Sequence, residues 1–169
     1  MIFVTVGSSS IPFDRLLRGV DATSFDEQVV VQHGASLIRP QRAECVDFLD
    51  YEDFVEFVDR ARVVVTHAGV GSIMAALARG KRPIVVPRRS SYAEAVDDHQ
   101  VPFARRADDL GLVRMVEDLD RLASAIEDHA SEAPPLASSR SPLEDALRSY
   151  IEECVGQRTP FAMRERSPV

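Results

Sequence analysis

The chain has 169 residues, 45% of them apolar and 28% charged. A chain near this length buries about 68–70% of its unfolded surface, so one domain can fold without a disulfide or metal staple. Twenty lysines and arginines against 27 aspartates and glutamates leave a net charge of −7, which argues against a nucleic-acid partner. No apolar run approaches the ~20 residues of a membrane span, and the strand-like start at residues 2–6 is expected to leave no room for a signal peptide. Cys45 and Cys154 have no CxxC spacing and are expected to be reduced core residues of a cytoplasmic protein.

Strand-like runs at 2–6, 28–33, 45–49, 63–67, 83–87 and 112–116 alternate with helical patterns. The first run opens into a Ser-rich loop, Gly7 to Ser10, and Pro12-Phe13-Asp14-Arg15-Leu16 then enters a helix. Tyr51, Phe54, Val55 and Val58 fall at helical spacing, as do Leu119, Leu122, Ala123 and Ile126. Several strand candidates are nearly continuous Val, Ile, Leu and Phe, as in strands covered on both faces. The alternation predicts an α/β fold with a doubly wound, mostly parallel, Rossmann-like sheet over residues 1–130. Residues 131–140 read as a polar linker with Pro134 and Pro135. Ser141, Pro142 and Glu144 then signal a helix start, and Leu143, Ala146, Leu147, Tyr150, Ile151 and Cys154 form an apolar stripe over 141–156. Residues 157–169 read as a tail.

In a parallel α/β sheet, ligands bind beyond the carboxyl ends of the strands. Those ends read Gly7-Ser8-Ser9-Ser10, His33-Gly34, the THAGVGS segment from Thr66 to Ser72, and Pro87-Arg88-Arg89. In THAGVGS a strand ends at His67, Gly69 and Gly71 permit a tight turn, and Ser72 opens a helix that Gly80 closes. Backbone N–H groups at such a helix start form an anion site, to which His67 and Ser72 add donors. Alternatively, the two glycines serve only the turn and His67 is a hydrogen-bonded edge residue. The Arg88 to Gln100 segment offers cations for phosphate, and Glu94, Asp98 and Gln100 to read sugar hydroxyls, with His99 beside them. Taken alone, it also reads as a solvated loop ahead of a helix. No second His or Cys stands at ligand spacing near Asp97-Asp98-His99, so no metal site is expected.

These segments resemble family 28 glycosyltransferases. MIFVTVG…PFDRL, YEDF near residue 51, THAGVGSIMAAL, GKRPIVVPRR and VDDHQ occur in the family's order over roughly residues 1–130. The resemblance is to the branch of small catalytic subunits in two-subunit UDP-sugar transferases, such as the dolichol-pathway N-acetylglucosaminyltransferase and bacterial exopolysaccharide transferases. It implies the C-terminal, donor-binding half of a GT-B fold, with a UDP-sugar as substrate and neither cofactor nor metal. Carried over, His67, Gly71 and Ser72 correspond to diphosphate contacts, Asp98 and Gln100 to sugar-reading groups, and the loop bearing Gly7, Ser8 and Ser9 faces the acceptor. Relatives commonly carry a ribose-binding Glu where this chain has Ala75.

The resemblance implies direct displacement at the anomeric carbon, with the leaving UDP stabilised by the helix start, His67 and Arg88. Asp14 is the candidate general base within the chain; otherwise the base belongs to a partner. The resulting expectation is a subunit that transfers a hexose-type sugar from a UDP donor to a lipid-linked acceptor. A membrane-anchored partner would recruit it to the cytoplasmic face and bind the acceptor. The helix over 141–156 docks either on that partner or on its own domain. The alternative is a nucleotide-sugar-binding module that has lost turnover. A nicotinamide oxidoreductase fits poorly, because Gly69-x-Gly71 follows the fourth strand and Met74 stands where a third glycine belongs.

Overall fold

The structure, a computed structural model, describes residues 1–129. The linker, amphipathic helix and tail expected over 131–169, with Cys154, lie outside the described residues. The strands are β1 Ile2–Thr5, β2 Val29–Gln32, β3 Glu44–Val46, β4 Val63–Thr66, β5 Ile84–Val85 and β6 Arg114–Met115. The helices are α1 Asp14–Asp21, α2 Tyr51–Arg60, α3 Val70–Ala78, α4 Gln100–Asp109 and α5 Leu122–Glu127. All pairings are parallel and the order is β3-β2-β1-β4-β5-β6, the doubly wound arrangement that the alternation predicts.

Alternation along each strand shows why the runs are continuously apolar. Ile2 and Val4, Val29 and Val31, and Val63 and Val65 face one side, packed with Leu16, Leu17 and Val20 of α1 and Leu122 and Ile126 of α5. Phe3, Val30 and Val64 face the other side, against Val58 and Ala76 of α2 and α3. A third cluster joins Ile73 and Leu77 of α3 to Phe103, Ala104 and Ala107 of α4 beneath Val85. Phe3 stacks on Phe57 at 5.3 Å and meets Phe54 edge-on at 5.8 Å.

Several strands are shorter than their apolar runs. Pro83 and Pro87 flank β5 and have no N–H to donate to the ladder. The run from Cys45 leaves the sheet after Val46 because Asp50 caps α2, its carboxylate accepting the Asp53 N–H at 2.9 Å. Cys45, expected in the core, is a reduced, half-buried residue on this edge strand. Of the expected α2 stripe only Val58 is fully buried, and Tyr51 is 72% exposed. Gly80 ends α3 as expected, with φ +67° and its N–H on the Leu77 carbonyl at 2.9 Å.

Candidate functional site

β1 and β4 are neighbours, and their onward connections run to opposite sides of the sheet. This is the topological switch point, where a doubly wound fold opens a crevice. The strands that meet here abandon aliphatic side chains at their carboxyl ends. Thr5, Gln32, His33 and Thr66 are all buried polar residues.

α3 starts at Val70, two residues earlier than THAGVGS suggests, because extended Gly69 is its N-cap. Gly71 and Ser72 therefore lie in the first turn. Ile73 N–H is the first to find an intrahelical acceptor, Gly69 O at 3.1 Å, so the preceding N–H groups face outward. His67 lies beneath this turn. A Cβ on Gly7 would stand 2.3 Å from its Cε1, and one on Gly69 would stand 2.1 Å from its Nε2. The glycines flank the imidazole, and Gly7 also needs its φ of +77°. A Cβ on Gly71 would meet nothing within 4 Å, so that position leaves the helix start open. Burial, reinforced by the Arg88 guanidinium, holds the His67 pKa down at about 4, so the ring is neutral at pH 7.

Gly7, Ser8, Gly71 and Ser72 line one cleft of about 310 Å³. Gln32, Leu49, Asp50, Tyr51 and Phe54 complete it. Sequence reasoning missed these five as site residues. Tyr51 and Phe54 read there as helix stripe, and the one available signal for Gln32 was an amide ending a Val run. Ser9 turns inward instead, its Oγ accepting the Ile11 N–H at 3.1 Å.

Arg88 differs from the sequence expectation. Its side chain is buried rather than poised at a phosphate. Nη1 donates to the carbonyls of Ile11, Pro12 and Glu94 at 2.8, 3.1 and 3.0 Å, and Nη2 donates to Val6 O at 2.9 Å. The guanidinium also lies 4.7 Å from the Phe13 ring centroid. Burial lowers its pKa to about 10, so it stays charged at neutral pH. Arg88 thereby fastens the Gly7–Pro12 loop to the β5 loop and acts on His67 through charge.

Glu94 is likewise enclosed, contrary to its expected exposure to a sugar. Its carboxylate accepts from Arg15 Nε and Nη2 at 2.8 and 2.9 Å and from the Arg89 N–H at 3.2 Å. Gln100 Oε1 accepts the Arg88 N–H at 3.1 Å, leaving its Nε2 without a partner among the described residues. Asp98 accepts the Ser90 N–H at 2.7 Å, and exposed His99 pairs with Asp97. Asp14, the expected base, holds its Oδ1 on the N–H groups of Leu37 and Ile38 at 2.8 and 3.3 Å. The structure thus gathers Gly7, Ser8, His67, Gly69, Gly71 and Ser72 into one site. Arg88, Glu94 and Gln100 form its supporting rim, Asp14 is engaged by the loop after β2, and His99 pairs with Asp97 in its own loop.

Among the described residues no three His, Cys, Asp or Glu side chains come together as metal ligands, and no helix is long and apolar enough to cross a membrane. A switch-point crevice with a bare helix start and a half-buried, neutral histidine defines a doubly wound α/β domain with its site at the carboxyl ends of the strands. The chain belongs to the glycosyltransferase family 28 C-terminal domain family, whose model matches residues 1–153 and so passes the expected domain end at 130. It is 28% identical over 118 residues to the human UDP-N-acetylglucosamine transferase subunit ALG13, spanning 62% of this chain but 10% of that protein. Among solved structures, the calicheamicin glycosyltransferase CalG4 superposes with a TM-score of 0.56 at 17% identity, covering 91% of this chain and 38% of its own. The kitacinnamycin glycotransferase gives 0.54 at 23% identity, covering 94% and 43%. Both likenesses establish the fold, the Rossmann-like half of a GT-B glycosyltransferase.

Proposed function

We propose that this chain binds a UDP-sugar and forms the donor half of a hexosyltransferase acting on a lipid-linked acceptor. The observation that carries the reading is the imidazole wedged between Gly7 and Gly69 under the open start of α3. That arrangement supplies oriented neutral donors to a diphosphate without a counter-ion. Family membership and the relative whose name is that of a UDP-N-acetylglucosamine transferase subunit support the donor class.

In the reaction, an acceptor hydroxyl oxygen attacks the anomeric carbon and the bond from that carbon to the diphosphate oxygen breaks. UDP departs with the bonding electrons toward the α3 start and His67, and the hydroxyl proton passes to a base. Asp14 is committed to two backbone N–H groups, which favours a base from the acceptor side. A GT-B cleft lies between two α/β halves, so a second, membrane-anchoring subunit supplies the acceptor side and recruits this chain to the cytoplasmic face.

Calorimetric titration with UDP and UDP-sugars, followed by a transfer assay with a co-expressed partner, tests the proposal. Micromolar binding of UDP and transfer that depends on both chains are expected; a chain that binds no UDP refutes it. The second reading, a binding module without turnover, draws on Ala75, a near-buried methyl where relatives commonly present a ribose-binding carboxylate. UDP binding without transfer, in the presence of partner and acceptor, selects that reading.

A further inference from the structure

We infer that Gln32 is a specificity residue of the donor site, its side-chain amide donating to an acceptor oxygen of the bound nucleotide; this rests on the cleft being a UDP-sugar site. Gln32 ends β2 in register with Thr5 of β1. It is 4% exposed, yet it lines the cleft beside Gly7, Ser8, Gly71 and Ser72.

Thr5 fixes the orientation of the carboxamide. Its Oγ1 accepts the Gly7 N–H at 3.1 Å and donates its proton to Gln32 Oε1. This bond holds the oxygen of Gln32 toward Thr5 and leaves Nε2 on the other branch of the carboxamide. Nε2 has no acceptor among the described residues. Nor is it sealed in: Arg88 Nε is the one fully enclosed side-chain nitrogen or oxygen without a partner among them. An amide this deeply set, with its orientation fixed and its donor unused, is a group waiting for an oxygen.

The surroundings select the ligand. Leu49 and Phe54 give the cleft an apolar wall, and the first turn of α3 gives it an anion-binding end. A neutral donor between such walls suits a carbonyl, hydroxyl or phosphoryl oxygen of a nucleotide. The same Thr5 hydroxyl that orients Gln32 holds Gly7, so the two sides of the crevice are set by one side chain.

Calorimetry on the full chain compares wild type with Gln32→Met, which removes the donor and keeps the length. UDP affinity is expected to fall about tenfold, the scale of one hydrogen bond to a ligand. A parallel loss with uridine assigns the contact to the nucleoside, and a loss with inorganic pyrophosphate assigns it to a phosphoryl oxygen; either supports the inference. Equal UDP affinity in both proteins overturns it while leaving the donor site intact. A wild type that does not bind UDP overturns both. If Gln32→Met does not fold, the side-chain amide signal of Gln32 in the wild-type nitrogen–proton spectrum decides the matter. It shifts on saturation with UDP if the contact forms, and an unmoved signal refutes it.

Discussion

The imidazole of His67 occupies the space a Cβ on Gly69 would need, with Nε2 2.1 Å from where that atom would stand. Gly69→Ala therefore displaces the ring or the helix start. We expect a loss of about 1–3 kcal/mol in urea unfolding, the scale of overpacking. UDP affinity should fall at least as far as in His67→Ala. Gly71→Ala is the contrast, since its Cβ enters open space at an ordinary φ. Its stability should be unchanged or slightly raised, whereas UDP affinity should drop if the diphosphate approaches that backbone. Full binding by Gly71→Ala would move the phosphate elsewhere.

Arg88 supports the rim rather than the ligand. Arg88→Met strands the carbonyls of Val6, Ile11, Pro12 and Glu94, and should cost more than about 3 kcal/mol of unfolding free energy. Arg88→Lys keeps the charge but not the fork, and should fall in between. A denaturation midpoint within error of wild type for Arg88→Met would contradict the clamp.

Stability should depend on pH through His67. Its pKa is about 4 when folded, against an ordinary 6.5, because burial first and Arg88 second oppose the proton. Between those values the unfolded chain takes up a proton that the folded chain refuses. The stability present at neutral pH is thus lost as pH falls from about 6.5 towards 4, by about 3 kcal/mol in all. His129, also lowered chiefly by burial, acts in the same direction. The diagnostic is therefore a difference: His67→Gln should flatten the slope of unfolding free energy against pH in this window. Parallel slopes would show that His67 is not buried in its neutral form.

Ala75 is 5% exposed on α3. Restoring the carboxylate with Ala75→Glu should raise UDP affinity about tenfold through charge-assisted bonds to the ribose, at some expense in stability. The gain should shrink with 2′-deoxy-UDP. An equal gain with both nucleotides would place the new carboxylate away from the 2′-hydroxyl.

Much of the fold is legible in the amino-acid sequence. The Val-rich runs gave the parallel sheet because burial on both faces removes polar alternation, and Gly80 marked the end of α3 because only its left-handed φ closes the turn. THAGVGS marked the strand end and helix start that open onto the crevice, but the part played by Gly69 did not show in it. Gly69 is needed for the ring of His67, which lies beside it in space, and not for a turn. Arg88 and Glu94 misled for a related reason. A charge in a loop reads as solvated, and nothing local reveals that Val6, Ile11, Pro12 and Arg15 will enclose it. Gln32 and Leu49 entered the cleft by tertiary placement alone.

The packing of Gly7, His67 and Gly69 also orders how this sequence can drift. Neither glycine can gain a side chain while the imidazole stands between them, so the first permissive change must come at position 67. A smaller residue there would free position 69 but not position 7, whose φ of +77° still favours glycine, and a side chain gained at 69 would bar the histidine's return. Non-glycine residues at position 69 should therefore occur in homologues that lack the histidine, and homologues retaining it should keep glycine at both flanking positions. The trio forms a one-way ratchet, and a chain that still holds all three has not begun to turn it.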